Sequence, residues 1–194
     1  MIIFVRHGET DLNRRHVLQG RSDAPLNETG REQAEQARDF LRAQGITFDR
    51  VYSSPLCRAV ETARIIAGET VTPVEDTRLL EMDYGPYEGS SLTPPAPELL
   101  RFFGDFVHNP APDGMESLDA VTARLAEFLN GLRVRADENV LISTHAISMK
   151  GALEYLTPAS GGAYWSRYLK NCALYVCQWT QAGFTVPREL EYGA

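Results

Sequence analysis

Lysine is almost absent from this chain: of its 19 Lys and Arg residues, only Lys150 and Lys170 are lysine. Cysteine is scarce as well. Cys57, Cys172 and Cys177 form neither an even disulfide framework nor a C-x-x-C pair, which argues against a disulfide-stapled secreted domain. No apolar run approaches the ~20 residues that span a bilayer. Met1-Ile2-Ile3-Phe4-Val5 meets Arg6 too soon to form the apolar centre of a secretory leader, so a cytoplasmic protein with no membrane partner is expected. Positive charge is in deficit overall: 26 acidic residues give a formal charge of −7 and a pI near 5.1. That balance disfavours nucleic acid or an anionic membrane as a partner.

What is present is ordinary for a globular protein: 194 residues, 43% hydrophobic and 23% charged. One domain over 1–194 is expected, burying roughly 70% of the surface that its unfolded chain exposes. Residues 1–70 carry equal numbers of acidic and basic side chains, so the whole negative excess lies in 71–194. The preference for Arg over Lys has a bland explanation in codon bias and a functional one in the planar guanidinium fork.

Ile2-Ile3-Phe4-Val5 is a short continuous apolar run, as expected of a strand buried on both faces. Thr29-x-x-Glu32 reads as a capping box for a helix carrying Ala34, Ala37 and Leu41 on one face. Val51-Tyr52 is a second brief strand. Ser54-Pro55 then reads as N-cap and N1 of a helix lined by Leu56, Ala59, Ala63 and Ile66. Val71 to Val74 suggests a third strand, interrupted by Pro73. The proline-rich stretch from Gly89 to Gly114, with a helix starting near Glu98, reads as an insertion over the core, either a lid or a fixed cover. Leu118, Val121, Leu125, Phe128 and Leu132 mark a long amphipathic helix. Val140-Leu141-Ile142 is a further buried strand, followed by a helix from about Ile147 to Leu156. Leu174 to Trp179 and Phe184 to Val186 read as a hairpin around Gln181-Ala182-Gly183. The alternation predicts an α/β fold: a three-layer α/β/α sandwich around a mostly parallel sheet with an antiparallel edge strand.

In such sheets, ligands bind beyond the carboxyl ends of the strands. The first strand ends in Arg6-His7-Gly8-Glu9-Thr10, the second in Ser53-Ser54 with Arg58 in the next helix, and the fourth in Ser143-Thr144-His145. Two histidines and two arginines therefore converge on one edge. Arginine binds phosphate oxygens through charge-assisted bonds, and a neutral imidazole can attack phosphorus. Rival phosphate chemistries lack their signatures: there is no G-x-x-x-x-G-K-[ST], no Cys six residues before an Arg, and no D-x-D at a strand end. His16 and His108 have no metal-ligand spacing with the other two histidines, and no metal is expected.

Five ordered blocks carry a family resemblance. They are Arg6-His7-Gly8-Glu9-Thr10 with Asn13, Gln19-Gly20 and Pro25-Leu26-x-x-x-Gly30; Ser53-Ser54-Pro55-Leu56-x-Arg58-Ala59-x-x-Thr62-Ala63; Leu80-Glu81-Met82-Asp83-Tyr84-Gly85-x-Tyr87-Glu88-Gly89; Gly114-x-Glu116-Ser117; and Ser143-Thr144-His145. Together they span nearly the whole chain and resemble the histidine phosphatase (phosphoglycerate mutase-like) superfamily.

The resemblance implies that His7 takes the phosphoryl group as a phosphohistidine, while Arg6 and Arg58 clamp its non-bridging oxygens. It implies that His145 holds the same group and that Glu81 is the acid and base. Gly8 would let the backbone approach closely, and Asn13, Gln19, Gly20 and Ala146 would line the substrate pocket. No cofactor is implied, because the arginines supply the positive charge. The resemblance has two departures: Leu12 stands where many members have Trp, and Ala146 where Gly is common. Asp83 and Glu88 are rivals for the role of Glu81, and Glu9 reads as a structural partner of an arginine. His16, His108 and Cys57 read as structural or solvated.

The expected activity is hydrolysis of a small phosphorylated metabolite by a metal-independent phosphomonoesterase. One alternative is phosphoglycerate mutase-type transfer, for which the Gly89–Gly114 stretch has few cations and the chain after His145 lacks Gly-Asn-Ser-Leu-Arg. The other is a non-catalytic phosphate-binding module, which would need no proton donor. Neither the physiological ester nor the oligomeric state is fixed by the sequence.

Overall fold

Ile2–Arg6 (β1) is the centre of a six-stranded sheet because every one of its apolar side chains is covered on both faces. The computed structural model describes residues 1–68 and 71–192. The other strands of this sheet are Arg50–Ser53 (β2), Val74–Glu75 (β3), Val140–Thr144 (β4), Leu174–Cys177 (β5) and Arg188–Leu190 (β8), in the order β3-β2-β4-β1-β5-β8. β1, β2, β3 and β4 are parallel, while β5 runs antiparallel to both β1 and β8.

The period-two alternation of each strand builds two cores. Ile2, Phe4, Val140 and Ile142 face one side, packing with Leu118–Gly131 (α5) and Ala146–Leu156 (α6). Ile3, Val5 and Leu141 face the other, packing with Glu28–Ala43 (α2) and Cys57–Ala67 (α3). The short helix Asp11–Arg14 (α1) follows β1, capped by Thr10. The result is the three-layer sandwich read from the sequence; among the described residues β5 is the one antiparallel strand of this sheet, and it lies one position inside the edge, which β8 occupies running parallel to β1. Among the described residues, no helix is long and apolar enough to cross a membrane.

Several local expectations need correction. The N-cap of α2 is Asn27, whose Oδ1 accepts from Gly30 N at 2.9 Å. Thr29 lies within the first turn, so the Thr29-x-x-Glu32 box does not start the helix. Helix α3 starts at Cys57, not at Pro55, and its N-cap Leu56 makes no side-chain bond. The reason is functional geometry: Ser54 Oγ lies 2.8 Å from His145 Nε2, and Asp23 Oδ1 accepts from Cys57 N instead. β3 occupies Val74–Glu75 rather than 71–74, since Pro73 has no N–H for a ladder. Leu174–Cys177 is not one arm of the terminal hairpin. Its four residues are all buried, so it belongs inside the main sheet, and the hairpin reduces to Trp179–Thr180 (β6) with Gly183–Phe184 (β7).

The 89–114 stretch contains helix Pro97–Gly104 (α4), with Pro97 at its first position and Leu99 and Phe102 buried in the core. Phe106 meets Phe102 and Phe103 edge to face, at centroid distances of 4.9 and 5.6 Å, and Phe102 and Phe103 are tilted at 5.3 Å. This anchors the stretch against α5 and α6 and turns Leu92, Phe103 and Phe106 toward a cavity at the carboxyl end of the sheet.

Candidate active site

The register of β1 on β4 pairs Arg6 with Thr144, so His7 and His145 emerge side by side from neighbouring strands. Their rings meet edge to face at 5.1 Å. His7 Nδ1 lies 2.7 Å from Gly8 O. A carbonyl can only accept, so the proton sits on Nδ1 and the lone pair is left on Nε2. Arg58 Nε donates to that nitrogen at 3.3 Å. Burial first, then the charges of Arg58 and Arg6, push the His7 pKa well below the usual imidazole value. Burial and then Arg58 do the same to His145.

Gly8 is required by a backbone crossing. A Cβ there would lie 2.3 Å from Gly30 O, and one on Gly30 would lie 2.1 Å from Glu9 O. The β1 exit and the first turn of α2 therefore touch main chain to main chain, while Gly8 N donates to Thr62 Oγ1 on α3.

Arg58 is fully buried. Besides His7 it donates to Ser22 O at 2.7 Å and Gly20 O at 2.8 Å, leaving two of its five N–H groups unused. The loop offering those carbonyls is fixed by Glu88, which accepts from the backbone N–H groups of Gly20, Arg21 and Ser22. Gly20 thus acts on the site through its carbonyl and lies behind the cavity wall rather than in it.

Glu81, which follows the 3-10 turn Thr77–Leu79, lies against the first turn of α6. Its Oε1 accepts from Met82 N (2.8 Å) and Ser148 N (3.1 Å), and its Oε2 from Ile147 N (3.2 Å). Asn13 Oδ1 accepts from Thr10 N and Asn171 Nδ2, which leaves its own amide N–H groups for the cavity. Gln19 Oε1 accepts from Thr10 Oγ1, and its buried Nε2 has no partner among the described residues.

The cavity is about 430 Å³. Arg6, His7, Asn13, Gln19, Glu81 and Ala146 line it, while Gly8, Gly20, Arg58 and His145 form the layer behind. Glu9 bonds Asn27 Nδ2 rather than an arginine. His16 and His108 lie outside the wall, His108 paired with Asp105 at 2.7 Å. Among the residues not assigned to the site from sequence, Tyr84, Trp165, Arg167 and Lys150 also line the cavity. Lys150 had a legible signal: it is one of only two lysines and stands four residues after Ala146, hence on the same face of α6.

The buried histidines make stability fall in acid. Both titrate lower when folded than the ~6.5 of an unfolded histidine, so between those values the unfolded chain binds protons that the native one refuses. Their contribution is full above pH ~6.5 and is lost below it, at up to about 1.4 kcal/mol per pH unit for each ring. Urea unfolding midpoints are expected to drop between pH 7 and 5.5, and less steeply in His7→Asn. An equal slope in the variant would contradict this.

A profile of the Histidine phosphatase superfamily (branch 1) matches residues 2–189. The putative phosphoserine phosphatase 2 of Hydrogenobacter thermophilus is 31% identical over 179 residues, covering 89% of this chain and 86% of that one. The probable phosphoglycerate mutase GpmB of Yersinia pestis is 33% identical, covering 89% and 82%. The solved structure of Bacillus stearothermophilus YhfR superposes with a TM-score of 0.82 at 28% identity, over 95% of this chain and 94% of that one. The chain belongs to branch 1 of the histidine phosphatase superfamily.

Proposed function

We propose that the protein is a metal-independent phosphomonoesterase that hydrolyses a small phosphorylated metabolite through a phosphohistidine on His7. The observation that carries this reading is the state of His7: neutral, with Nδ1–H tied to Gly8 O and Nε2 in a cavity wall beside a buried arginine. Nε2 attacks phosphorus as the ester oxygen leaves and takes the proton of the Glu81 carboxylic acid. The resulting carboxylate then accepts a proton from water, which displaces the phosphoryl group from Nε2 and releases inorganic phosphate.

Arg6 and the two free N–H groups of Arg58 stabilise the negative charge on the transferring group. With Ser54 Oγ–H donating to His145 Nε2, the His145 proton sits on Nδ1, which has no other partner, and serves the phosphoryl oxygens. The 89–114 stretch serves as a lid or cover whose inner face is apolar, and its one cation, Arg101, is exposed and outside the cavity wall. A mutase must retain an anionic donor against water, so this wall favours hydrolysis over transfer.

Rapid quench with a ³²P-labelled phosphomonoester is expected to trap a protein-bound phosphate that is acid-labile and base-stable. Hydrolysis of 3-phosphoglycerate should outrun its 2,3-bisphosphoglycerate-dependent exchange with 2-phosphoglycerate. Faster exchange would make the protein a mutase, and an acid-stable label would remove His7 as the acceptor.

A further inference from the structure

Lys150 is a cation inside the cavity that the chemistry above does not use. It is 8% exposed, and its Nζ donates to Trp165 O at 2.8 Å and stands 4.9 Å from the centroid of the Phe106 ring. An ammonium has three donors, so two remain. Among the described residues, no carboxylate oxygen lies within 4 Å of it; Glu81 acts on it electrostatically from further away, held by the N–H groups of Met82, Ile147 and Ser148. A buried cation without a counter-charge is costly unless something else supplies one.

The bond to Trp165 does not account for the residue. The 160–165 turn is already held by Glu154, which accepts from Ser160 Oγ and from the backbone N–H groups of Gly162, Tyr164 and Trp165. Arg167, another cation lining the cavity, is exposed, with its guanidinium 5.0 Å from the centre of the Tyr164 ring. Among the cations lining the cavity, Lys150 is the buried one whose free donors the phosphoryl chemistry leaves unused.

We propose that Lys150 is the specificity-determining cation of this cavity and binds a carboxylate of the substrate, so that the class taken is a short phosphomonoester carrying a carboxylate. This rests on the phosphomonoesterase reading and narrows it. Lys150 stands four residues along α6 from Ala146, about 6 Å of helix rise from the phosphoryl end of the pocket. Two or three carbons between ester oxygen and carboxylate span such a gap. Phe103, Phe106 and Ile147 cover the intervening wall and suit a short carbon skeleton. Burial brings the Lys150 pKa down to about 8, consistent with a charge that waits for an anion.

The test compares kcat/KM for 3-phosphoglycerate and for glycerol 3-phosphate, which differ in having a carboxylate or a hydroxymethyl group at the far end. The wild-type protein is expected to favour the carboxylate at least about 30-fold, as for a charged hydrogen bond in a buried site. Lys150→Met should bring that ratio near one, and Lys150→Arg should keep most of it. A ratio unchanged in Lys150→Met, with its circular dichroism intact, overturns the proposal. Should that variant fail to fold, a wild-type ratio near one overturns it alone. Turnover of p-nitrophenyl phosphate with no carboxylate preference sinks only the Lys150 assignment. Absence of all three turnovers sinks the phosphomonoesterase reading and this proposal with it.

Discussion

His7→Ala is expected to lower kcat/KM for p-nitrophenyl phosphate by at least about 10⁴-fold and to abolish the labile protein-bound phosphate. No other side chain can take its place. The second imidazole, His145, has Nε2 bonded to Ser54 and only an Nδ1–H left to offer, and the thiols of Cys57 and Cys172 are withdrawn as well. Burial raises Cys57 to about 11 and Cys172 to about 12, so neither supplies thiolate at neutral pH. The fold should tolerate the change, since His7 bonds only Gly8 O and Arg58 through its side chain. Turnover that survives in a folded His7→Ala protein would remove His7 from the role of nucleophile.

Arg58→Ala should act on catalysis and stability together. The guanidinium holds three acceptors from a fully buried position: His7 Nε2, Ser22 O and Gly20 O. Removing it leaves two carbonyls short of a donor and a void beneath the loop, a loss of about 3 kcal/mol. Loss of the charge at the phosphoryl oxygens is expected to cost about 10³-fold in kcat, as for a single preorganised donor group. A third effect separates chemistry from folding. Arg58 is the largest charge effect holding His7 neutral. Its loss raises the His7 pKa toward 6.5, so the residual activity of the variant should decline below pH ~6.5, earlier than in the wild type. Arg58→Lys keeps the charge but not the fork, and should recover part of kcat while leaving at least one carbonyl unpaired. A pH profile identical to wild type in Arg58→Ala would sever the link between Arg58 and the protonation state of His7.

The sequence carried the architecture and the polar residues at the strand ends, because both obey local rules. Buried strands read as apolar runs, and a parallel sheet delivers its carboxyl ends to one edge, so Arg6, His7 and His145 could be grouped before any coordinates. Errors arose where a side chain had two possible employers. Ser54 has the composition of a helix cap, but its hydroxyl is taken by His145. Thr29 has the spacing of a cap, but Asn27 stands two residues earlier and its amide reaches the right N–H. Leu174–Cys177 and the following hairpin form one apolar stretch in the sequence, and only the presence of β8 on the far side of β5 separates them. Support residues were harder still. The work of Gly20 is done by its carbonyl and that of Glu88 by accepting backbone N–H groups, neither of which leaves a spacing signature. Lys150 was visible as a rarity, but its burial beneath Phe106 depends on how residues 89–114 fold back over the site.

The placement of β1 has a consequence for how the molecule comes into being. β1, made before the other strands of its sheet, lies between β4 and β5, partners that begin at Val140 and Leu174. Such distant pairings carry a large loop-closure entropy, so sheet completion is slow compared with formation of the helices. Until Val140–Thr144 has been made β1 has two open edges, and until Leu174–Cys177 follows it still has one. The same order of events means that His7 and His145, with rings 5.1 Å apart in the finished protein, meet only after β4 has docked on β1. If both histidines serve the phosphoryl group as proposed, the onset of turnover during refolding should follow the pairing of β1 with β4.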